Sequence, residues 1–251
     1  MEWIHSLGLF LGSLIANTLA SLSGGGAGLL QFPLLLFFGL PFSVALATHK
    51  VASVALGLGA AATHIKQKSV TYQEVAYITL VGSIGVIVGA NLIVLIAGDI
   101  AERLLGGMIL ALGVYSYFKK QLGQQATPRN RTWLGWFTGG IGLLLIGIIN
   151  GSLTAGSGLL VTLFLVRWFG YSYKQAVALT MICVGLFWNG IGGVAIVQAG
   201  ASIYWPWLPV LLLASFIGGA IGAYLSTRLS NQRIKRYFEI LTLLVGLKLL
   251  F

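Results

Sequence analysis

His49 and Lys50 stand side by side inside the apolar run of residues 42–62. In a membrane helix rising about 1.5 Å per residue, Lys50 lies roughly 12 Å below the start of that run. An ionisable side chain at such depth is costly and ordinarily faces a partner or a water-filled path. The five acids, Glu2, Glu74, Asp99, Glu102 and Glu239, all lie near the ends of apolar runs. None offers Lys50 a salt bridge from neighbouring sequence. A deep ammonium with no acid nearby calls for an anion, and His49 is the group beside it able to titrate near neutrality. The competing reading is a shifted helix boundary from which Lys50 snorkels to the surface.

Two stretches rich in glycine and hydroxyls could receive that anion. They are Ser21-Leu22-Ser23-Gly24-Gly25-Gly26-Ala27-Gly28 and Asn150-Gly151-Ser152-Leu153-Thr154-Ala155-Gly156-Ser157. Non-helical backbone within a bilayer must be buried in protein or line a cavity. Each break also presents the N-terminus of the short apolar piece that follows, residues 29–38 or 159–169, with free N–H groups and partial positive charge. Asn150, Ser152, Thr154, Gly156 and Ser157 form the second candidate surface; Gly24, Gly25, Gly26 and Gly28, with Ser21 and Ser23, form the first. Glycines that merely permit tight hairpins are the simpler reading. Gln31 and Asn189 either line a path or bond between helices. There is no H-E-x-x-H, no metal-ligand cluster and no acid pair at membrane depth, so the sequence supports no catalytic residue, metal site or cofactor.

Composition says what positions these residues. Of 251 residues 57% are hydrophobic and 8% charged, against about 25% charged in a soluble domain. The net charge of +10 comes from lysines and arginines between the apolar runs, which reads as topology signal and not as a nucleic-acid surface. Met1-Glu2-Trp3 lacks the basic start of a cleaved signal peptide, so the first run is expected to be retained. The single Cys183 can form no intrachain disulfide. Runs near the 17–25 residues of a span cover 3–22, 42–62, 75–97, 133–149, 176–197 and 205–226; shorter ones cover 104–118 and 237–251.

The runs repeat. Gly26-Ala27-Gly28-Leu29-Leu30 matches Gly156-Ser157-Gly158-Leu159-Leu160 at an offset of 130, Thr48 matches Thr180 at 132, and Gly85 and Gly89 match Gly218 and Gly222 at 133. The polar linker carries Lys119, Lys120, Arg129 and Arg131, placing it in the cytoplasm. The acidic turn at 99–103 corresponds to the basic turn at 228–236, and the Lys66/Lys68 loop to the uncharged loop 198–204. Basic loops alternate between the repeats, so the repeats are oppositely oriented. The expected fold is an all-α integral membrane protein of two inverted repeats, each a broken re-entrant helix hairpin plus three transmembrane helices. The first repeat is 1–118, the cytoplasmic linker 119–131 and the second repeat 132–251, with both termini outside a bacterial-type inner membrane. Gly85-x-x-x-Gly89 and Gly218-x-x-x-Gly222 are packing faces, within the chain or in a homodimer.

On Gly24-Gly25-Gly26-x-Gly28, Pro33, Gly39 and Ala45-x-x-Thr48, with a weaker echo from Gly156 to Thr180, the chain resembles the sulfite exporter TauE/SafE family. The resemblance covers almost the whole chain. It implies a multi-helix exporter of anions such as sulfite, thiosulfate, sulfonates or sulfoacetate, and it carries a role to Gly24, Gly25, Gly26, Gly28, Pro33 and Thr48. The expected function is transport of a small anion held between the two breaks near mid-membrane, with Lys50 as the cation. An anion channel and, behind it, a membrane-embedded enzyme or sensor are the other readings.

Overall fold

The computed structural model describes residues 2–24, 28, 30–66, 70–96, 98–118, 125–154 and 156–250. Each apolar run read from the sequence is helical there. The order is α1 (Glu2–Ser23), α2 (Gln31–Phe37), α3 (Phe42–Lys66), α4 (Tyr72–Ile93), α5 (Gly98–Phe118), α6 (Trp133–Ser152) and α7 (Ser157–Phe164), which continues as a π turn at Leu165–Phe169. Then come α8 (Tyr173–Thr180), a π-helical segment (Met181–Trp188) and α9 (Asn189–Gln198), stacked end to end. A single 3-10 turn (Trp205–Trp207), α10 (Leu208–Arg228) and α11 (Asn231–Leu250) complete the chain. Among the described residues six helices are long and apolar enough to cross a membrane: 6–23, 42–64, 72–93, 133–152, 173–198 and 205–228. The last helix begins earlier than hydropathy predicts. Ser230 accepts the Arg233 N–H and Lys235 pairs with Glu239 one turn on, so polar residues start a helix that apolar ones finish.

Glycine decides how closely the helices approach. α2 doubles back along α1, with Leu34 3.0 Å from where a Gly12 Cβ would lie; α7 doubles back along α6, with Phe164 2.6 Å from the Gly142 position. Both pairs are 130 residues apart, so the two hairpins share one geometry. A Cβ on Gly85 or Gly89 would come within 2.0 Å of the Leu144 or Ile148 carbonyl of α6. Their counterparts Gly218 and Gly222 press on Leu14, Asn17 and Thr18 of α1. Both G-x-x-x-G faces are therefore filled within the chain. Of the two packing alternatives the faces take the one within the chain, against α6 and α1, and nothing here supports a homodimer through them.

In each of these pairs a helix from one half packs on a hairpin from the other, so the halves share one core. α3 is central, with 78% of its span buried against 44% for α1, α4, α6 and α10. Gly57 lets it cross the backbone of Gly185 and Leu186 in the π segment, and Gly59 the backbone of α10. Outside, large apolar side chains such as Leu80, Ile84, Ile141, Leu145 and Leu213 are exposed, a surface suited to lipid and not to water.

One end of the bundle gathers basic loops. The linker pairs with the turn after α7 through Thr127 N–H to Gly170 O (2.8 Å) and Arg129 N–H to Phe169 O (3.1 Å). Arg131 lies over Tyr171 (4.3 Å to the ring), donates to its hydroxyl and sits 3.6 Å from Glu74, in the first turn of α4. Burial, then the hydrogen bond to Glu74, pushes the Tyr171 hydroxyl above its ordinary pKa, keeping it a donor to that carboxylate. Lys174 donates to Thr227 O, bringing the first turn of α8 to the end of α10.

Candidate functional site

The second break is built around Lys50. α6 ends at Ser152, and the chain turns through Thr154 at φ +55° and Gly156 at φ +79°. A β-branched residue in the left-handed region is a backbone outlier that its surroundings must hold in place. Lys50 Nζ donates to Asn150 O at 2.8 Å, and to Asn150 Oδ1 and Thr154 Oγ1 at 3.3 Å each. Asn150 O is one of the carbonyls a helix C-terminus leaves without a backbone donor, and a cation there is favourable. Asn150 Nδ2 donates to Ser157 Oγ, whose own hydrogen goes to Thr154 O. That fixes the amide so that Oδ1 faces the ammonium.

Lys50, Asn150, Thr154 and Ser157 are all buried, Lys50 completely, so Lys50 does not snorkel. Gly192 makes room, since a Cβ there would lie 3.0 Å from Nζ. The ion pairs among the described residues join Arg131 to Glu74 and Lys235 to Glu239, and Lys50 is in neither. The expectation of a bare lysine beside two helix N-termini is corrected in one respect: its nearest partners are the C-terminal turn of α6 and the strained turn that follows.

The first break holds no charge. Gly25 and Gly26 lie outside the described residues. Gly24 (φ +74°) and Gly28 are buried, and Gly24 O accepts from Thr162 Oγ1 at 3.0 Å. A Cβ on Gly24 would strike Val177 at 2.7 Å and Thr162 at 2.9 Å. Thr162 and Thr180 share a hydrogen bond, so this break is pinned to α7 and α8.

Gln31 and His49 belong to a separate buried network. Gln31 Nε2 donates to Ser215 Oγ (3.0 Å), which turns its Oε1 toward His49 Nδ1 (3.1 Å). Ser53 Oγ lies 3.0 Å from His49 Nε2, and Asn17 Nδ2 donates to Ser215 at 3.2 Å. With the amide so oriented, Nδ1 is the donor in the neutral ring. Sequence reasoning missed Asn17, Ser53 and Ser215. Ser53 stands one turn after His49, and Asn17 is a lone amide in an apolar run as Asn150 is; both were findable signals.

The remaining candidates divide. Thr48 Oγ1 accepts from Tyr204 N–H at 2.9 Å, tying the start of α3 to the loop before α10. Ser152 bonds back to Ile148 O and Ile149 O of its own helix and does not reach Lys50. Pro33 is buried within α2. Asn189 is buried with its Oδ1 unpartnered. The two breaks are not at one level. The first contacts Val177, while Lys50 at the second lies against Gly192 on the same helical stack. Fifteen residues separate those contacts, on the order of 20 Å at a helical rise.

The sulfite exporter TauE/SafE family matches residues 9–249. A Haemophilus influenzae protein described as a "probable membrane transporter protein" is 25% identical over 246 residues, covering 97% of this chain and 93% of its own. Escherichia coli K12 YfcA, described in the same words, is 24% identical over 245 residues and covers 97% and 88%. Bacillus subtilis YjnA, again so described, is 27% identical over 259 residues and covers 97% of each. No solved structure matches.

Proposed function

The chain belongs to the sulfite exporter TauE/SafE family of multi-pass membrane transporters, and we propose that it carries a small sulfur-containing anion of the sulfite, thiosulfate or sulfonate type. The observation that carries this reading is Lys50: a fully buried ammonium held by three neutral oxygens and outside both ion pairs of the described residues. A charge removed from water is expensive until another charge meets it. An oxyanion supplies that charge. Its oxygens replace the two 3.3 Å contacts, while the 2.8 Å bond to Asn150 O keeps the ammonium in place. The Thr154 hydroxyl, which accepts from Lys50, has its own hydrogen to give the anion.

In this reading the gathered basic loops face the cytoplasm and both termini face outside. The repeats, 1–118 and 132–251, are inverted. Contact order supports inversion. Along α4 and α6, Gly82 meets Gly147 and Val86 meets Gly151, so those helices run the same way. Along α1 and α10, Ser215 meets Asn17 and Gly219 meets Ser21, likewise. α3 crosses the α8–α9 stack in the opposite sense, Lys50 on Gly192 and Gly57 on Gly185. In a Cys183→Ser background, cysteines at positions 66 and 233 should label from the same face, and labelling from opposite faces would overturn inversion. The substrate test is uptake of radiolabelled sulfite, thiosulfate, sulfoacetate and short carboxylates into proteoliposomes. Saturable uptake of a sulfur oxyanion, stimulated by the same anion inside, is expected; uptake without such stimulation would mean a channel.

A further inference from the structure

We propose that Asn189, with Ser83 and Thr79 of α4, forms a second polar station for the anion between Lys50 and the basic end of the bundle. Its role is to set how fast the anion leaves Lys50, not how tightly Lys50 holds it. The proposal rests on the reading of Lys50 as the cation of the substrate site.

Asn189 is 3% exposed, and its Oδ1 has no hydrogen-bond partner; Ser83 Oγ is buried and unpartnered as well, and Thr79 Oγ1 is buried beside the Cys183 thiol. Folded proteins pair nearly all such groups, and lipid surroundings make an unpaired one costlier still. These three lie close together. Trp188 Nε1 donates to Ile78 O and Thr79 O of α4 at 3.2 Å, and a Cβ on Gly192 would lie 2.9 Å from Val86 of the same helix. Asn189, between Trp188 and Gly192, is therefore within about a turn of Ser83, and Thr79 stands one turn before Ser83.

The link to Lys50 is equally local. Gly192 fronts Lys50 Nζ and Gly193 fronts Lys50 Cβ at 3.6 Å. Asn189 precedes these glycines by three and four residues, so it shares their face, about 5 Å toward the basic end. The helix just before it is π-helical, Met181–Trp188, where the matching part of α3 is a regular α-helix. Such segments concentrate at functional sites.

The chemistry suits a waypoint. The Asn189 amide offers two N–H donors, and the Ser83 and Thr79 hydroxyls offer one each. Neutral donors hold an oxyanion less tightly than an ammonium does. An anion departing Lys50 thus meets hydrogen bonds that lower its barrier without trapping it.

The test uses the full chain in proteoliposomes with radiolabelled sulfite. Asn189→Leu keeps the branched outline and removes the amide. Its maximal uptake rate should fall tenfold or more, with sulfite binding within twofold of wild type and thermal stability equal or higher. Lys50→Gln, measured alongside, should lose binding tenfold or more. A wild-type chain without sulfite uptake, or Lys50→Gln with unchanged binding, would remove the reading beneath the station. Lost binding in Lys50→Gln with full rate in Asn189→Leu would overturn the station alone, as would a tenfold loss of binding in Asn189→Leu. If Asn189→Leu does not assemble, Ser83→Ala decides: a rate at least threefold lower at unchanged stability supports the station, and an unchanged rate overturns it.

Discussion

The site around Lys50 has a mirror image in the same chain. By the repeat offsets, Lys50, Asn150 and Thr154 correspond to Ile182, Ala20 and Gly24, and all six are buried. The scaffold around the two places is shared: Gly12 faces Leu34 as Gly142 faces Phe164, and Gly24 and Thr154 both take positive φ. Chemistry is not shared, since one place holds an ammonium and three oxygens, while Ile182, Ala20 and Gly24 carry no side-chain polar atom and the nearby hydroxyl of Thr162 is spent on Gly24 O. Backbone crossings at glycine tolerate almost no change, because a Cβ would strike a carbonyl. Side chains lining the breaks are free of that constraint and can diverge, as Lys50 and Ile182 have.

Placing the charge in the wrong copy should have the largest effect. Ile182→Lys buries a second ammonium where Ala20 and Gly24 offer it no side-chain oxygen, a loss of about 3–5 kcal/mol. The expected result is protein that fails to stay monodisperse in detergent; a stable variant would mean the mirror place reaches water. Next come the shared crossings. Gly85→Ala forces a Cβ 2.0 Å from Leu144 O, while Gly218→Ala meets its nearest atom at 2.8 Å. Both should lower the thermal midpoint, Gly85→Ala by more, within the roughly 1–3 kcal/mol of overpacking. Equal losses would show that the two crossings are not tuned differently.

Thr154→Gly separates strain from chemistry. It should release about 1 kcal/mol of left-handed backbone strain and raise the midpoint, yet weaken anion binding severalfold because a site hydroxyl is gone. Falling stability would mean the hydroxyl holds the turn. The smallest effect belongs to Ser152→Ala. Its hydroxyl bonds to Ile148 O and Ile149 O of its own helix, and uptake should stay within twofold of wild type.

The helices were legible because a bilayer demands long apolar runs, and the glycine pairs were legible because helix crossings leave no room for a side chain. Lys50 stood out for the same reason, as a charge where apolar residues belong. What it bonds to was not legible, because Asn150 and Thr154 lie 100 and 104 residues away. Both breaks looked like anion surfaces. The structure puts the charge at the second, where Thr154 adopts a backbone shape that only its surroundings can enforce. Ser215 was invisible for a similar reason: one serine in an apolar helix gains meaning only when Gln31 and Asn17 from two other helices reach it.

Equilibrium binding of radiolabelled sulfite to purified Lys50→Gln, set beside the thermal midpoint of the empty protein, tests the anion role of Lys50 most directly. Glutamine keeps an N–H for Asn150 O and removes a buried charge that no acid balances. The dissociation constant should rise tenfold or more, since a hydrogen bond to a charged group contributes about 1.5–3 kcal/mol, while the empty protein's midpoint holds or rises. An unchanged dissociation constant, with a midpoint that falls, would contradict this and leave Lys50 as a structural cap on α6.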